Sequence, residues 1–390
     1  MIFNLDEIQP EYYSLHPNKM FNYQFNKGIS LGYARVEDLK EVTPRIHNLH
    51  DWAREMNSLA DRAKVEKRIL NAAYYYRMAE FFTLPSDPQK ISRYKEFNRL
   101  MHFVLKDQHY EEYSVPYNGR FLPTYKFKPL EHPKETLVIH GGFDSFIEEF
   151  FPLATFLVEK GYEVYMFDGP GQGKALFEHQ LKLIPEWEKP VSTILDYFNL
   201  NDVILIGISL GGYLGLRAAA YDQRISKVVV FGVIYDFYSA RMSTLSLSSR
   251  LISKILISLQ KERLFNSLIQ KAMQGDLFLN WSYQQSMYVF GVSTPYEVVE
   301  QLKLFNVIEI SKLIRQDILL LHGEDDDFIP LDMYYKQKRA LTAAKSISGR
   351  IFTKTDNASH HCQIGNIKLA FDTIHDWIKD VESEKKSLQV

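Results

Sequence analysis

Gly207-Ile208-Ser209-Leu210-Gly211 joins two segments of opposite character. Before it runs Val203-Ile204-Leu205-Ile206, a short apolar stretch of β type. After it runs Gly212-Tyr213-Leu214-Gly215-Leu216-Arg217-Ala218-Ala219-Ala220, a small-residue stretch of helical type. A strand, then G-x-S-x-G, then a helix describes a nucleophile elbow, in which a strained turn lifts the serine Oγ clear of the sheet. Glycines at 207 and 211 leave room where a Cβ would clash with neighbouring backbone. The helix that starts there also offers free N–H groups to a developing negative charge. An ordinary tight turn is the competing reading, and the flanking strand and helix argue against it.

The rhythm on either side supports a parallel sheet. Tyr113–Tyr117 and Phe121–Phe127 flank Asn118-Gly119, a hairpin signal. Strand candidates at 136–139, 162–167, 203–206 and 227–231 then alternate with helix candidates at 150–160 and 191–198, the βαβ pattern of an α/β fold. Between 235 and 314 the rhythm stops, and helices are predicted at 245–259, 264–273 and 296–304. It resumes with a strand at 317–321, a helix at 333–344, a short strand at 350–352 and a last helix at 369–381. Residues 1–110 carry no strand pattern and are predicted as a helical region, with helices over 42–59, 60–82 and 91–105. Its stretch from Ala72 to Phe82 spaces aromatic and small residues to pack into a neighbour. Residues 111–390 are predicted as the catalytic domain, with 235–314 as a helical lid whose Tyr288 and Phe290 line the substrate pocket.

Composition removes several functions. The chain has 390 residues and a formal net charge of −2 with no long basic run, which argues against nucleic acid as a partner. Cys362 is the only cysteine, so no intrachain disulfide forms. The first residues lack a basic and apolar leader, and no apolar stretch reaches the ~18 residues a membrane span needs. A cytoplasmic protein without a membrane partner is the expectation.

A serine hydroxyl needs an imidazole base, and the imidazole needs a carboxylate to fix its tautomer. Behind a serine elbow the acid comes next along the chain and the base last. His322-Gly323-Glu324-Asp325-Asp326-Asp327-Phe328-Ile329-Pro330 fits the spacing H-G-x-x-D-x-x-[VI]-P, which selects Asp326 as the acid, with Asp325, Asp327 and Asp236 as competitors. The base lies in Ser359-His360-His361-Cys362-Gln363, where spacing alone does not choose between His360 and His361. An oxyanion hole needs two backbone N–H groups. Leu210 supplies one, and Phe143, in the loop His140-Gly141-Gly142-Phe143-Asp144-Ser145, is expected to supply the other. Asp144 is a candidate polar substrate contact; Glu148 and Glu149 read as solvated surface carboxylates. Asp168-Gly169-Pro170-Gly171-Gln172-Gly173-Lys174 fails the phosphate-loop pattern and reads as a structural turn. No cluster has metal-ligand spacing, and no metal or other cofactor is expected.

The stretches AAYYYRMAEFF, HGGFDSFIEE, FDGPGQG, GISLGGYLGLRAA, YVFGVSTPYE, HGEDDDFIP and ASHHCQIGN resemble the α/β-hydrolase superfamily. More narrowly, they are similar to bacterial dipeptidyl aminopeptidase/acylaminoacyl-peptidase-like serine hydrolases. They also resemble the group of 2,6-dihydroxypseudooxynicotine hydrolase and fermentation-respiration-switch esterases. The resemblance implies a base directly before Cys-Gln, which favours His361, and an acidic residue assisting catalysis at the position of Asp144. The expected activity is hydrolysis of a small acyl ester or amide through an acyl-enzyme on Ser209. Alternatives are an exopeptidase on short peptides, a C–C bond hydrolase of β-diketone-like substrates, and a non-catalytic small-molecule binding protein. Self-association as a homodimer through the helical region is a further expectation.

Overall fold

The computed structural model describes residues 3–106 and 110–387. The chain begins with α1 (Lys19–Ser30), α2 (Val36–Val42), α3 (Leu49–Val65), α4 (Ile69–Phe81) and α5 (Pro88–Leu105). Then come β1 (Tyr110–Tyr117), β2 (Arg120–Phe127), β3 (Thr136–His140), α6 (Phe151–Glu159), β4 (Glu163–Phe167), α7 (Gly173–Phe177) and α8 (Glu188–Tyr197). β5 (Val203–Ile208), α9 (Gly211–Tyr221), β6 (Ile225–Phe231) and α10 (Phe237–Ser243) follow. After four helices, α11 (Leu247–Ser258), α12 (Glu262–Gly275), α13 (Leu277–Phe290) and α14 (Pro295–Leu304), the chain ends with β7 (Asp317–Gly323), α15 (Asp332–Ala340), β8 (Ser346–Phe352) and α16 (Ile367–Ser387).

These elements form two compact units, and the division is not the one expected from the sequence. Residues Leu247–Glu300 belong with Met1–Gln108, while His109–Ser246 and Gln301–Val390 make the second unit. Most of the stretch read as a lid at 235–314 is therefore part of the helical unit, not an appendage of 111–390. The reason is an aromatic cluster that neither sequence segment completes alone. Phe21 stacks on Trp52 at 4.8 Å, Phe82 meets Trp52 edge-on at 5.3 Å, and Trp281 of α13 lies 4.9 Å from Phe82. Trp281 Nε1 donates to Phe81 O at 2.9 Å, so its one polar group is satisfied. Helix starts follow their caps: Asn18 accepts from Met20 N, Asn48 from Asp51 N, Asp87 from Gln89 N ahead of Pro88, and Asp276 from Leu279 N. The helices expected at 42–59 and 60–82 are instead divided at Lys67, whose φ is +60°. Ala72 to Glu80 are all buried in α4, as a packing role for that stretch requires. Phe290 is buried and Tyr288 half-buried near the end of α13, which Gly291 closes in a left-handed cap.

The second unit is a sheet of eight strands in the order β1-β2-β4-β3-β5-β6-β7-β8. β1, β2 and β4 pair antiparallel in sequence; every other pairing is parallel. The hairpin turn is Asn118 at φ +48° and Gly119 at φ +71°, the mirror-image turn that matches strand twist. β5 is buried along its whole length, which explains why it reads as continuous apolar sequence rather than alternation. The chain moves from β3 to one side for β4, then crosses to the other side for β5. The strand order therefore reverses at β3, and the loops leaving β3 and β5 diverge, the place where open α/β sheets form their crevice.

Candidate active site

Ser209 leaves β5 at φ +61°, a left-handed conformation that costs a non-glycine residue about 1–3 kcal/mol. The turn is held from both sides. Ser209 N donates to Phe231 O of β6 at 2.7 Å, and Gly212 N donates to Ser209 O at 2.8 Å. A Cβ on Gly207 would lie 1.9 Å from Gly211 O, and one on Gly212 would lie 2.2 Å from Gly232 O. The two glycines are thus sterically required for α9 to start directly against the sheet.

Asp326 follows β7 in a turn that its own carboxylate builds: Oδ1 accepts from Phe328 N and Ile329 N, both at 2.9 Å. Its Oδ2 lies 2.7 Å from His361 Nδ1, and His361 Nε2 lies 2.9 Å from Ser209 Oγ. With the carboxylate beside it, Nδ1 carries the hydrogen and donates to Asp326, which leaves Nε2 to accept from the serine hydroxyl. The His361 loop follows β8 and rests on the end of β7. Asp325 N donates to Ser359 O at 2.9 Å, and a Cβ on Gly323 would lie 2.2 Å from that same oxygen. Cys362 and Gln363 then take φ of +51° and +52°, bending the chain back so that Cys362 lies buried against Phe231 O. Phe328 covers the imidazole edge-on at 5.1 Å.

Burial opposes charge on both members of this pair, and their mutual attraction overrides it. Burial alone would lower the His361 pKa, but the Asp326 carboxylate holds it well above the ordinary histidine value. Burial alone would raise the Asp326 pKa; the facing imidazole and its hydrogen bonds hold it below the ordinary carboxylate value. The competitors lie elsewhere. His360 Nδ1 is 3.8 Å from Asp327 Oδ2, Asp325 faces Lys354 at 3.4 Å, and Asp236 caps α10 through Ser239.

The loop after β3 reaches the elbow at Gly142, where a Cβ would lie 2.7 Å from Leu210 N and 2.9 Å from Ser209 Cβ. That approach brings the Phe143 segment beside the first amide of the elbow helix. Asp144 follows at φ +61° and is buried. Glu148 and Glu149 are not the solvated surface groups expected: each is only 1% exposed. Tyr125 OH donates to Glu148 at 2.8 Å, and Phe146 N donates to Glu149 at 3.1 Å, so both carboxylates act as internal struts. The Asp168–Gly173 turn holds the same loop. Asp168 accepts from Ile147 N at 3.1 Å and Lys174 N at 2.8 Å, with its pKa pushed well up by burial and by Glu148. Gln172 Nε2 donates to Gly141 O at 2.7 Å and Gly142 O at 3.1 Å. The sequence marks this turn as structural, but no spacing reveals that it grips the loop beside the serine. Nor does spacing mark a role for His140 and His322, at the ends of β3 and β7. Both are fully buried; burial pushes the His140 pKa down to about 4 and lowers that of His322. Among the described residues no group of three or more His, Cys, Asp or Glu is placed to hold a metal ion, and no helix is long and apolar enough to cross a membrane.

The arrangement has relatives. The chain is 28% identical over 337 residues to the hydrolase LUC6 of Fusarium sp, covering 76% of this chain and 79% of that protein. It is 32% identical over 268 residues to 20-hydroxy-prefusarin hydrolase FUS2 of Gibberella moniliformis, covering 63% of each. Among solved structures, 2,6-dihydroxy-pseudo-oxynicotine hydrolase shares the fold, with a TM-score of 0.66 at 19% identity over 91% of this chain and 95% of that one. The model of the α/β hydrolase fold family matches residues 136–366, from the first residue of β3 through the elbow and past His361. With the reversal at β3 and the serine, acid and histidine carried in that order along the matched span, the chain belongs to the α/β hydrolase fold family.

Proposed function

We propose that this hydrolase cleaves a small acyl ester or amide by forming an acyl-enzyme on Ser209. The observation that carries the reading is the unbroken hydrogen-bonded chain from Ser209 Oγ through His361 to Asp326. His361 Nε2 takes the hydroxyl proton as Oγ attacks the carbonyl carbon. Asp326 holds the imidazole in register and stabilises the imidazolium. The amides of Leu210 and Phe143 receive the oxyanion, His361 returns the proton to the leaving group, and water repeats the sequence to release the acid. No step calls for a cofactor. A relative named for 20-hydroxy-prefusarin supports a small organic substrate over a peptide. Asp144, buried next to the proposed donor Phe143, is the proposed polar contact for that substrate. A binding protein without catalysis would have no need to hold a serine at φ +61° against a buried histidine–aspartate pair.

The test is a panel of p-nitrophenyl esters, aminoacyl anilides and a β-diketone, run on the wild type and Ser209→Ala, with fluorophosphonate labelling alongside. Alanine fits the elbow sterically, so the fold should persist while turnover falls by about 10⁴-fold or more and labelling disappears. Turnover by Ser209→Ala within about tenfold of wild type would sink the nucleophile assignment. Cleavage of the β-diketone alone would move the reading to C–C bond hydrolysis.

A further inference from the structure

A loop of two glycines can turn its peptide planes either way at little cost. The direction matters at one bond, Gly142–Phe143. In a trans peptide the carbonyl and the N–H point in opposite directions, and no cis bond occurs among the described residues. Whatever holds Gly142 O therefore decides where Phe143 N–H points.

Two side chains hold it. Gln172 Nε2 donates to Gly142 O at 3.1 Å and to Gly141 O at 2.7 Å, and Ser145 Oγ donates to Gly142 O at 3.2 Å. The glutamine is itself pinned. It is fully buried, and its Oε1 accepts from Gly169 N at 3.0 Å. Turning its amide over would set an oxygen against two carbonyl oxygens and an NH₂ against an N–H, losing all three bonds in a buried site. Gly142 meanwhile lies against the elbow, where even a Cβ would fall 2.7 Å from Leu210 N.

We propose that Gln172 is a positioning residue that locks the Gly142–Phe143 peptide with its N–H turned away from the glutamine, as an oxyanion donor. The proposal rests on the reading that Ser209 forms an oxyanionic intermediate. Without the lock, rotation of this peptide replaces the Phe143 N–H with the Gly142 carbonyl, and a donor becomes a repelling oxygen. The distinguishing part of the device is one side chain donating to two successive carbonyls, whereas Ser145 Oγ, with one hydrogen, donates to Gly142 O.

Gln172→Leu removes the donors at similar volume, and Gln172→Glu replaces a donor with an acceptor. The readouts are the rate of fluorophosphonate labelling of Ser209, kcat and KM for p-nitrophenyl acetate, and the affinity for phenylboronic acid, which mimics the tetrahedral intermediate. Losing one oxyanion donor costs about 10²–10³-fold in kcat. Both variants should show a loss of that size in kcat and labelling, a parallel loss of boronic acid affinity, and a KM within about threefold of wild type. A crystal structure of Gln172→Leu should show the Gly142–Phe143 peptide turned over. Labelling within about threefold of wild type in a folded Gln172→Leu overturns the proposal. So does a loss confined to KM and thermal stability with boronic acid binding intact, which marks a packing effect; this second criterion holds even for a poorly folding variant. A wild type that is not labelled at all would sink the Ser209 reading instead, so the two failures are distinguishable.

Discussion

His361 is pulled in opposite directions, and the outcome sets a pH signature. In its proposed role as base it must be neutral to accept the serine proton. Its pKa is held well above the ordinary 6.5 by Asp326 against the opposing effect of burial. The acidic limb of kcat/KM should therefore lie above 6.5. Asp326→Asn removes the charge that holds it there, so the limb should move to lower pH while kcat falls by about 10⁴-fold. A pH–rate profile checks both, and an unmoved limb would contradict the assignment. Stability carries the matching sign. The raised histidine contributes fully below 6.5 and fades as pH climbs through its folded value; the lowered aspartate contributes above 3.8 and fades as pH falls through its own. The pair therefore stabilises most between those values. Urea unfolding should show Asp326→Asn more destabilising near pH 5 than at alkaline pH.

The end of β7 and the histidine loop form one device, because Gly323 leaves no room for a side chain under Ser359 and His360. Gly323→Ala would place Cβ 2.2 Å from Ser359 O and 2.7 Å from His360 O, two rigid backbone atoms. The loop must then lift, carrying His361 off Ser209. Since displacement of about 1 Å costs on the order of 10²-fold, kcat should drop by that much while far-UV circular dichroism stays unchanged. Equal kcat in the variant would show that the loop is not seated by this contact. The same elements show what a sequence reveals. The elbow and the H-G-x-x-D turn carry their geometry in adjacent residues and can be read directly, whereas the Ser359–Gln363 loop offers two adjacent histidines and only a family resemblance favours His361. The Gly141 and Gly142 carbonyls that Gln172 holds and the Tyr125 hydroxyl that meets Glu148 lie far off in sequence, and a polar residue buried by a distant partner looks like a surface residue in sequence. α13 is similar: Trp281 and Phe278 announce an apolar face, but nothing local says that Phe21, Trp52 and Phe82 complete it.

At the scale of the whole molecule, Trp281 ties the two distant segments of the helical unit together. It is 8% exposed, packs on Phe81 and Phe82, and donates to Phe81 O. Trp281→Ala should cost about 3–5 kcal/mol from the vacated volume, and the orphaned Phe81 carbonyl adds to it. Limited proteolysis should then cut first among α11–α14 and α1–α5, leaving the sheet unit as two resistant pieces, His109–Ser246 and Gln301–Val390, that stay associated. Cleavage spread evenly along the chain would contradict this. The discontinuity also has a consequence during synthesis. Residues 1–108 leave the ribosome with Phe21, Trp52 and Phe82 lacking the Trp281 side of their cluster. At about 5–20 residues per second, roughly ten to forty seconds pass before Leu247–Glu300 is made. Throughout that interval an apolar aromatic face is exposed on the nascent chain, a target for chaperones and a point where translation speed bears on yield.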